Sequence, residues 1–337
     1  MSFEQIDPAL ADSFFSAQAI NLADPLLGAH IHSCSNQFFA PAKNIINPLP
    51  PVHKPGVFVK TGAWYDGWES KRHNPQPSDW VIIRLGPPRA SILGAQVDTA
   101  FFTGNYAPAI SIEATCSNNI TKTTIWSEVI PYTPCGPSQR HFYRLTSPST
   151  TPYTHVRLQM YPDGGIARFR LYGHVVPLFP PSSSKIDLAS VLMGAIAVSC
   201  SDQHYGQKHH LLLPGRGLHM GHGWETRRSR SENHSDWVVV KLGASGYLSH
   251  AQIDTLHFRG NYPTELFLLA TNSHDLIPKD DTDWTQILPP QKMGPDYLKS
   301  YPLTHTNIPF THMVIVPDGG VKRLRIFGKR ALTQSKL

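Results

Sequence analysis

Short apolar runs rich in β-branched and aromatic residues recur along the chain and are separated by turn-forming residues. The runs DWVIIRLG (79–86) and DWVVVKLG (236–243) each end on glycine, and a Pro-Asp-Gly-Gly turn separates the runs at 155–161 and 168–173. Runs of this kind are typical of strands, and glycine supplies the positive φ that such a turn requires. Long helical periodicity is hard to find anywhere. The pattern predicts an all-β protein built from antiparallel sandwiches, with the jelly roll as the preferred topology.

The sequence contains this pattern twice. Residues 20–39 align with 186–205 at an offset of 166 (186 − 20), whereas GWESKR at 67–72 aligns with GWETRR at 223–228 at an offset of 156 (223 − 67). The difference places about ten extra residues in the first copy, in the proline-rich stretch 40–56. Copies of this length are too long for solenoid repeats, so the repeat predicts two homologous domains.

The domain boundaries follow from the alignment and from a stretch rich in proline and serine. We assign a lead-in at 1–19, a first domain at 20–176, a linker at 177–185, a second domain at 186–330 and a tail at 331–337. The tail ends in Ser335-Lys336-Leu337, which acts as a peroxisomal address at a free C-terminus. We therefore predict a peroxisomal location, with the cytoplasm as the alternative.

Composition and charge indicate which kinds of molecule the protein binds. Hydrophobic residues make up 40% of the chain, charged residues 16%, and the net charge is +6. The basic residues are scattered, so nucleic acid is not expected as a partner, and no apolar run is long enough to span a membrane. A mildly basic surface favours a small anionic substrate. The four cysteines lack C-x-x-C spacing, and Cys34 and Cys200, at matching places in the repeat, are expected to be buried thiols.

Motifs from both halves resemble those of a known family. They are GAWYDGWESKRHN, DTAFFTGNYAP, CGPSQRHF and YPDGGIARFRLYG in the first copy, and LLLPGRG, GWETRRSR, DTLHFRGNYP and PDGGVKRLRIFG in the second. The D-W-V strand and the closing R-x-R-x-x-G strand resemble the galactose-binding-like sandwich, in which ligands meet the loops at one end. The whole set, in order from about residue 20 to 330, resembles the allantoicase (allantoate amidinohydrolase) family.

This resemblance implies a hydrolase that cleaves allantoate to ureidoglycolate and urea in purine (allantoin) degradation. Arginine suits the substrate carboxylate, a carboxylate or histidine suits the activation of water, and neutral amides suit the ureido groups. The alternative is a non-catalytic two-domain protein that binds carbohydrate or another ligand on the same sandwich. A homo-oligomer is expected for a compact metabolic enzyme.

The repeated Gly-Trp-Glu loops contain the candidate site residues. We assign catalytic roles to Asp66, Glu69, His73 and Glu225, and substrate binding to Arg72, Arg228 and Arg230. Asp66 and His73 are replaced in the second copy by His222 and Ser229. The first loop is therefore richer in acid–base groups and the second in cations, and the chemistry is expected in the first copy.

A structural interpretation of these loops stays open. Glu69 and Arg72 lie three residues apart, so a local ion pair that fixes the loop explains them as well as a role in the site does. Trp68 and Trp224 are better explained as buried anchors than as substrate platforms.

A second repeated group adds polar residues to the predicted site. Asp98 and Asn105 recur as Asp254 and Asn261, and all four are assigned to substrate binding. An aspartate inside a strand needs a partner, and an Asp–Arg bridge to the neighbouring loop explains it as well as a place in the site does.

Two further expectations concern charge and metal. Arg168 and Arg323, in the closing strands, are expected at the sandwich surface. No metal or other cofactor is predicted, because no H-E-x-x-H or paired C-x-x-C occurs and the doublet His209-His210 would diverge on a strand.

Overall fold

The computed structural model forms two compact units, Met1–Val176 and Pro177–Leu337. It describes residues 1–273, 275, 278–279, 282–303 and 308–331. The predicted peroxisomal signal Ser335-Lys336-Leu337 lies outside these residues. In the described ranges, no helix is both long and apolar enough to cross a membrane.

The first unit contains one α-helix and a set of short strands. The strands are β1 (Phe3–Ile6), β2 (Ile20–Asn21), β3 (His30–Cys34), β4 (Phe58–Val59), β5 (Gly62–Ala63), β6 (Trp68–Glu69), β7 (Asp79–Arg84), β8 (Ala90–Asp98), β9 (Ala109–Thr115), β10 (Ser127–Pro134), β11 (Arg140–Leu145), β12 (His155–Tyr161), β13 (Gly165–Ile166) and β14 (Arg168–Val175). The α-helix is α1 (Pro8–Gln18), and short 3-10 helices span Pro25–Leu27 and Ala42–Ile46.

Two five-stranded antiparallel sheets make the sandwich of the first unit. Their strand orders are β1-β11-β8-β14-β2 and β10-β9-β12-β7-β3. Strand β12 shows how the sequence pattern builds the core: Val156, Leu158 and Met160 are fully buried, whereas Arg157 and Gln159 are partly exposed. Side chains alternate between the two faces of a strand, so one face of β12 lines the core.

Helix α1 covers part of the first sandwich. Asp7 caps its N-terminus by accepting a hydrogen bond from the Ala9 N–H at 2.8 Å, and Pro8 occupies the first turn. Phe15 is buried and stacks on Tyr172 with the ring centroids 4.2 Å apart. The lead-in is therefore an ordered part of the first unit, with a helix that the sequence pattern does not predict.

The second unit repeats the architecture with fewer, longer strands. They are β15 (Lys185–Asp187), β16 (Ile196–Cys200), β17 (Trp224–Glu225), β18 (Asp236–Asp254), β19 (Glu265–Thr271), β20 (Thr285–Lys292), β21 (Leu298–Pro302), β22 (Ile308–Val316), β23 (Gly320–Val321) and β24 (Arg323–Arg330). Short 3-10 helices span Val191–Met193, Lys208–Leu212 and Met220–His222.

Strand β18 belongs to both layers of the second sandwich. Its first part, from Asp236 to Lys241, pairs with β22, and its second part, from Gly246 to Asp254, pairs with β24. In the first unit the equivalent residues form two separate strands, β7 and β8. Both units are thus antiparallel β-sandwiches, which confirms the prediction of an all-β protein with two homologous jelly-roll domains.

Two local expectations need correction. Cys34 and Cys200 are free but only half-buried, because both end strands at the rim of a sandwich. His209 and His210 lie in a 3-10 helix and not on a strand, and their rings are in contact with centroids 4.8 Å apart.

Candidate active site

Each Gly-Trp-Glu motif is held by its tryptophan. Trp68 and Trp224 are fully buried, and their indole N–H groups donate to the carbonyls of Asn36 and Asp202 at 2.7 and 2.8 Å. This confirms that both rings are anchors. The following glutamate is thereby fixed at the loop end of each sandwich.

A phenylalanine ring explains the glycines of the repeated motifs. A Cβ atom on Gly67 or Gly165 would overlap the ring of Phe102, and one on Gly223 or Gly320 would overlap the ring of Phe258. Only glycine permits this close approach. The ring therefore packs the Gly-Trp-Glu loop against the Asp-Gly-Gly turn in both units.

A glutamate–asparagine pair occupies the same place in both units. The Asn105 amide donates to Glu69 Oε1 at 2.7 Å, and the Asn261 amide donates to Glu225 Oε1 at 2.5 Å. Burial raises the pKa of both glutamates, and the amide hydrogen bond opposes that rise. The structure thus joins four predicted site residues into two equivalent pairs.

The structural alternative of a local ion pair between Glu69 and Arg72 is not what the structure shows, because Arg72 pairs with a different acid. Its guanidinium lies 3.1 Å from Asp163 as an ion pair that is not aligned as a hydrogen bond. Asp163 also accepts a hydrogen bond from the His73 backbone N–H at 2.8 Å. His73 has a left-handed backbone (φ 56°) and an exposed side chain. The ion pair therefore ties the Gly-Trp-Glu loop to the Asp-Gly-Gly turn.

Arg168 and Arg323 are buried, so their predicted place on the surface is wrong. Arg168 pairs with Asp66 at 2.6 Å and donates to the carbonyls of Leu49 and Asp66. Arg323 donates to the equivalent carbonyls, those of Gly215 and His222. Each arginine binds the backbone of its site loop, and this satisfies the polar groups of a segment without regular pairing.

The two equivalent aspartates end their strands instead of lying inside them. Asp254 receives two hydrogen bonds from Arg216, at 2.7 and 2.8 Å, and this is the Asp–Arg bridge that the sequence left open beside a place in the site. Asp98 accepts a hydrogen bond from the Ala100 N–H at 2.8 Å, and no arginine within the fully described first unit forms an ion pair with it. Burial raises the pKa of Asp98.

The predicted cations of the second loop are exposed. Arg228 donates to the Gly260 carbonyl at a long 3.4 Å. Among the described residues, neither Arg228 nor Arg230 forms an ion pair, so both charges are available to an anion.

Sequence reasoning missed two cations of the second unit. Arg216 forms an ion pair with Asp254. Lys322 is buried beneath the loop that contains Arg216. One signal was present for Lys322: in the aligned turns PDGGIAR and PDGGVKR, Lys322 takes the place of Ala167. No group of three or more His, Cys, Asp or Glu side chains in the described part of the chain is placed to hold a metal ion.

These features define a class of protein: a duplicated β-sandwich in which each sandwich presents, at its loop end, a buried carboxyl group that accepts a hydrogen bond from an asparagine amide. The family model described as "Allantoicase repeat" matches residues 20–176 and 186–331. The chain belongs to the allantoicase family.

Relatives and solved structures agree with this assignment. The chain is 53% identical to a probable allantoicase of Schizosaccharomyces pombe, with 97% of this chain and 98% of that protein covered. It is 44% identical to the allantoicase of Saccharomyces cerevisiae, with 92% and 94% covered. A crystal structure of the Saccharomyces cerevisiae allantoicase matches with a TM-score of 0.86, at 40% identity and with 97% and 100% covered.

Proposed function

We propose that the chain hydrolyses allantoate to ureidoglycolate and urea. Membership of the allantoicase family over nearly the whole chain supports this function. The structural observation that carries it is the buried glutamate held by an asparagine in each unit, Glu69 with Asn105 and Glu225 with Asn261.

The glutamate–asparagine pair suits the activation of water. A carboxyl whose pKa is raised by burial is a stronger base once it is ionised, and the amide fixes which oxygen remains open. The water oxygen becomes bonded to the central carbon of allantoate as the bond to one ureido nitrogen breaks. The proton that leaves the water is finally carried by the departing urea.

Binding needs separate groups for the carboxylate and the ureido arms. The exposed cations Arg228 and Arg230 are suited to a carboxylate, and the amides of Asn105 and Asn261 are suited to neutral ureido groups. Asp66 and Arg72 are each engaged in an ion pair, with Arg168 and Asp163 respectively, so their proposed roles require exchange of those partners.

The binding-module alternative is not favoured, because the relatives that match over nearly the full chain are named allantoicases. The substrate is a small molecule. A homo-oligomer and a peroxisomal location remain predictions from the sequence.

Urea release from allantoate tests the proposal. The purified full chain should release urea, and the double variant Glu69→Gln with Glu225→Gln should lose most of this activity while it remains folded. The Gln side chain keeps an oxygen that accepts from the asparagine but is not a base. Absence of urea release by the wild-type chain, with or without added divalent metal ions, would contradict the proposed function.

A further inference from the structure

Lys322 is a fully buried lysine that the fold itself does not require. It lies between β23 and β24, and its backbone N–H donates to the Asp254 carbonyl at 2.7 Å. The first unit makes the same hydrogen bond from Ala167 to the Asp98 carbonyl, also at 2.7 Å. The same turn is therefore built with a methyl group in one copy and with an ammonium in the other.

The ammonium of Lys322 has an incomplete set of partners. Its Nζ donates to the His219 carbonyl. Within the described part of the chain, no carboxylate lies within ion-pair distance of Nζ, and the neighbouring acid Asp254 is occupied by Arg216. A buried ammonium has three donors, and leaving it without a counter-charge is costly. A functional reason for the charge is therefore needed.

The surroundings of Lys322 are strongly cationic. Burial, and then the charges of Arg323 and Arg216, lower its pKa to about 8, with opposition from Asp254 alone. Burial, the adjacent His219 and then the charges of Lys322 and Arg323 lower the pKa of His222 to about 4, so its ring is neutral at neutral pH. His210 also senses the Lys322 charge. Three cations thus face one carboxylate.

A thin covering segment, residues 215–222, separates Lys322 from solvent. A Cβ on Gly217 would lie 2.9 Å from the Lys322 side chain, so the segment rests directly on it. Leu218, in the middle of the segment, is 85% exposed. Arg323 binds the two end carbonyls, those of Gly215 and His222. Both ends of the covering segment are therefore hydrogen-bonded to Arg323, whereas its middle is held to Lys322 through the His219 carbonyl.

We propose that Lys322, together with Arg216, binds the carboxylate of the substrate in the second unit, where the carboxylate replaces the His219 carbonyl as the partner of the ammonium. This inference rests on the proposed function and refines it: Lys322 and Arg216 hold the carboxylate, whereas the exposed Arg228 and Arg230 attract the anion towards the second unit. The Lys322 ammonium is a compact charge with three N–H donors. The Arg216 side chain is half exposed, and its planar guanidinium adds further N–H donors from the solvent side. The His222 imidazole is neutral at neutral pH and therefore adds no further positive charge beside the two cations.

Lys322→Met tests the proposal, because methionine fills the volume without the charge. We expect the KM for allantoate to rise about 10- to 100-fold, as for loss of a charge-assisted hydrogen bond, with a smaller change in kcat. For the wild type, kcat/KM should fall as the pH rises through about 8, where the ammonium loses its proton, and the variant should lack this decrease. A purely structural lysine would not give that pH dependence.

Lys329→Met is the matched control, since Lys329 is an exposed lysine of strand β24, which begins directly after Lys322. It should leave both the KM and the pH profile unchanged. If Lys322→Met does not fold, Lys322→Ala reproduces the residue that the first unit carries at this place. A wild-type KM and pH profile in either folded variant would overturn the inference and leave the proposed function intact.

Failure of the proposed function gives a different result. If the wild-type chain releases no urea, calorimetric titration with glycolate, a small carboxylate, still tests the site. Binding to the wild type that is lost in Lys322→Met would support a carboxylate site, whereas equal binding or no binding would overturn it.

Discussion

Asp98 and Asp254 occupy equivalent positions, yet their partners differ. Asp254 is bridged by Arg216, whereas Asp98 accepts a hydrogen bond from the Ala100 N–H. Burial raises the pKa of Asp98, so the folded chain holds this proton more tightly than the unfolded chain does. The contribution of Asp98 to stability is therefore largest at low pH, and it declines as the pH rises from the ordinary aspartate value through the raised one.

Relative to the wild type, Asp98→Asn should be more stabilising at pH 7 than at pH 3. The amide oxygen can still accept from the Ala100 N–H, and the variant avoids the ionisation of a buried carboxyl. Thermal unfolding at the two pH values measures the effect as the difference in Tm from the wild type. A variant that loses stability at pH 7 would show that the charges of Arg140, Arg168 and Arg170 stabilise the ionised carboxylate.

Asp254→Asn provides the matched change and should have the opposite effect. It removes the charge that receives two hydrogen bonds from Arg216, and we expect a loss of about 1–2 kcal/mol, since the arginine is half exposed. Chemical denaturation at pH 7 measures this loss. Equal stabilities of the two variants would contradict the difference between the units.

At the scale of single residues, the sequence predicts the burial of large apolar side chains better than it predicts the partners of charged ones. The burial of Trp68 and Trp224 followed from their size and repetition. The pairing of Arg72 with Asp163 did not, because the Asp-Gly-Gly turn is about ninety residues away in the chain and meets the loop only through the folded sandwich. The burial of Arg168 was missed for the same reason, since its carbonyl partners belong to a distant irregular segment.

At the scale of elements, alternation of apolar residues predicted the strands but not helix α1. The helix is short, and its burial depends on a few residues led by Phe15. A pattern of that length cannot be separated from loop sequence by periodicity alone. The continuity of β18 across both layers was also unpredictable, because it depends on how the chain bends between sheets.

Phe15→Ala should destabilise the first unit by about 3–5 kcal/mol, the usual cost of removing a buried aromatic ring. The ring stacks on Tyr172 and packs against Phe142 in the sheet. Leu10→Ala on the same helix is the control and should have little effect, since Leu10 is 67% exposed. Guanidinium unfolding measures both. A loss near zero for Phe15→Ala would mean that α1 contributes little to the stability of the sandwich.

At the scale of the whole molecule, the duplication preserved the scaffold and changed the charges. Tryptophan, glutamate, asparagine and the ring-packed glycines recur at equivalent places in both units. In the first unit, Asp66 and Arg72 are engaged in ion pairs. The second unit has the buried Lys322, and its Arg228 and Arg230 form no ion pair among the residues that the structure describes. The sequence favours chemistry in the first copy, but these contacts favour the second.

A comparison of Glu225→Gln with Glu69→Gln decides between the copies. If the second unit performs the chemistry, Glu225→Gln should lower kcat for urea release by about 100-fold or more, the usual range for removal of a general base, and Glu69→Gln should keep most of it. Both changes replace a buried carboxyl with a raised pKa by an amide that can still accept from its asparagine. Neither variant should therefore lose stability at neutral pH, and thermal unfolding checks this. The reverse order of activities would place the reaction in the first unit, and comparable partial losses would indicate that both units catalyse it.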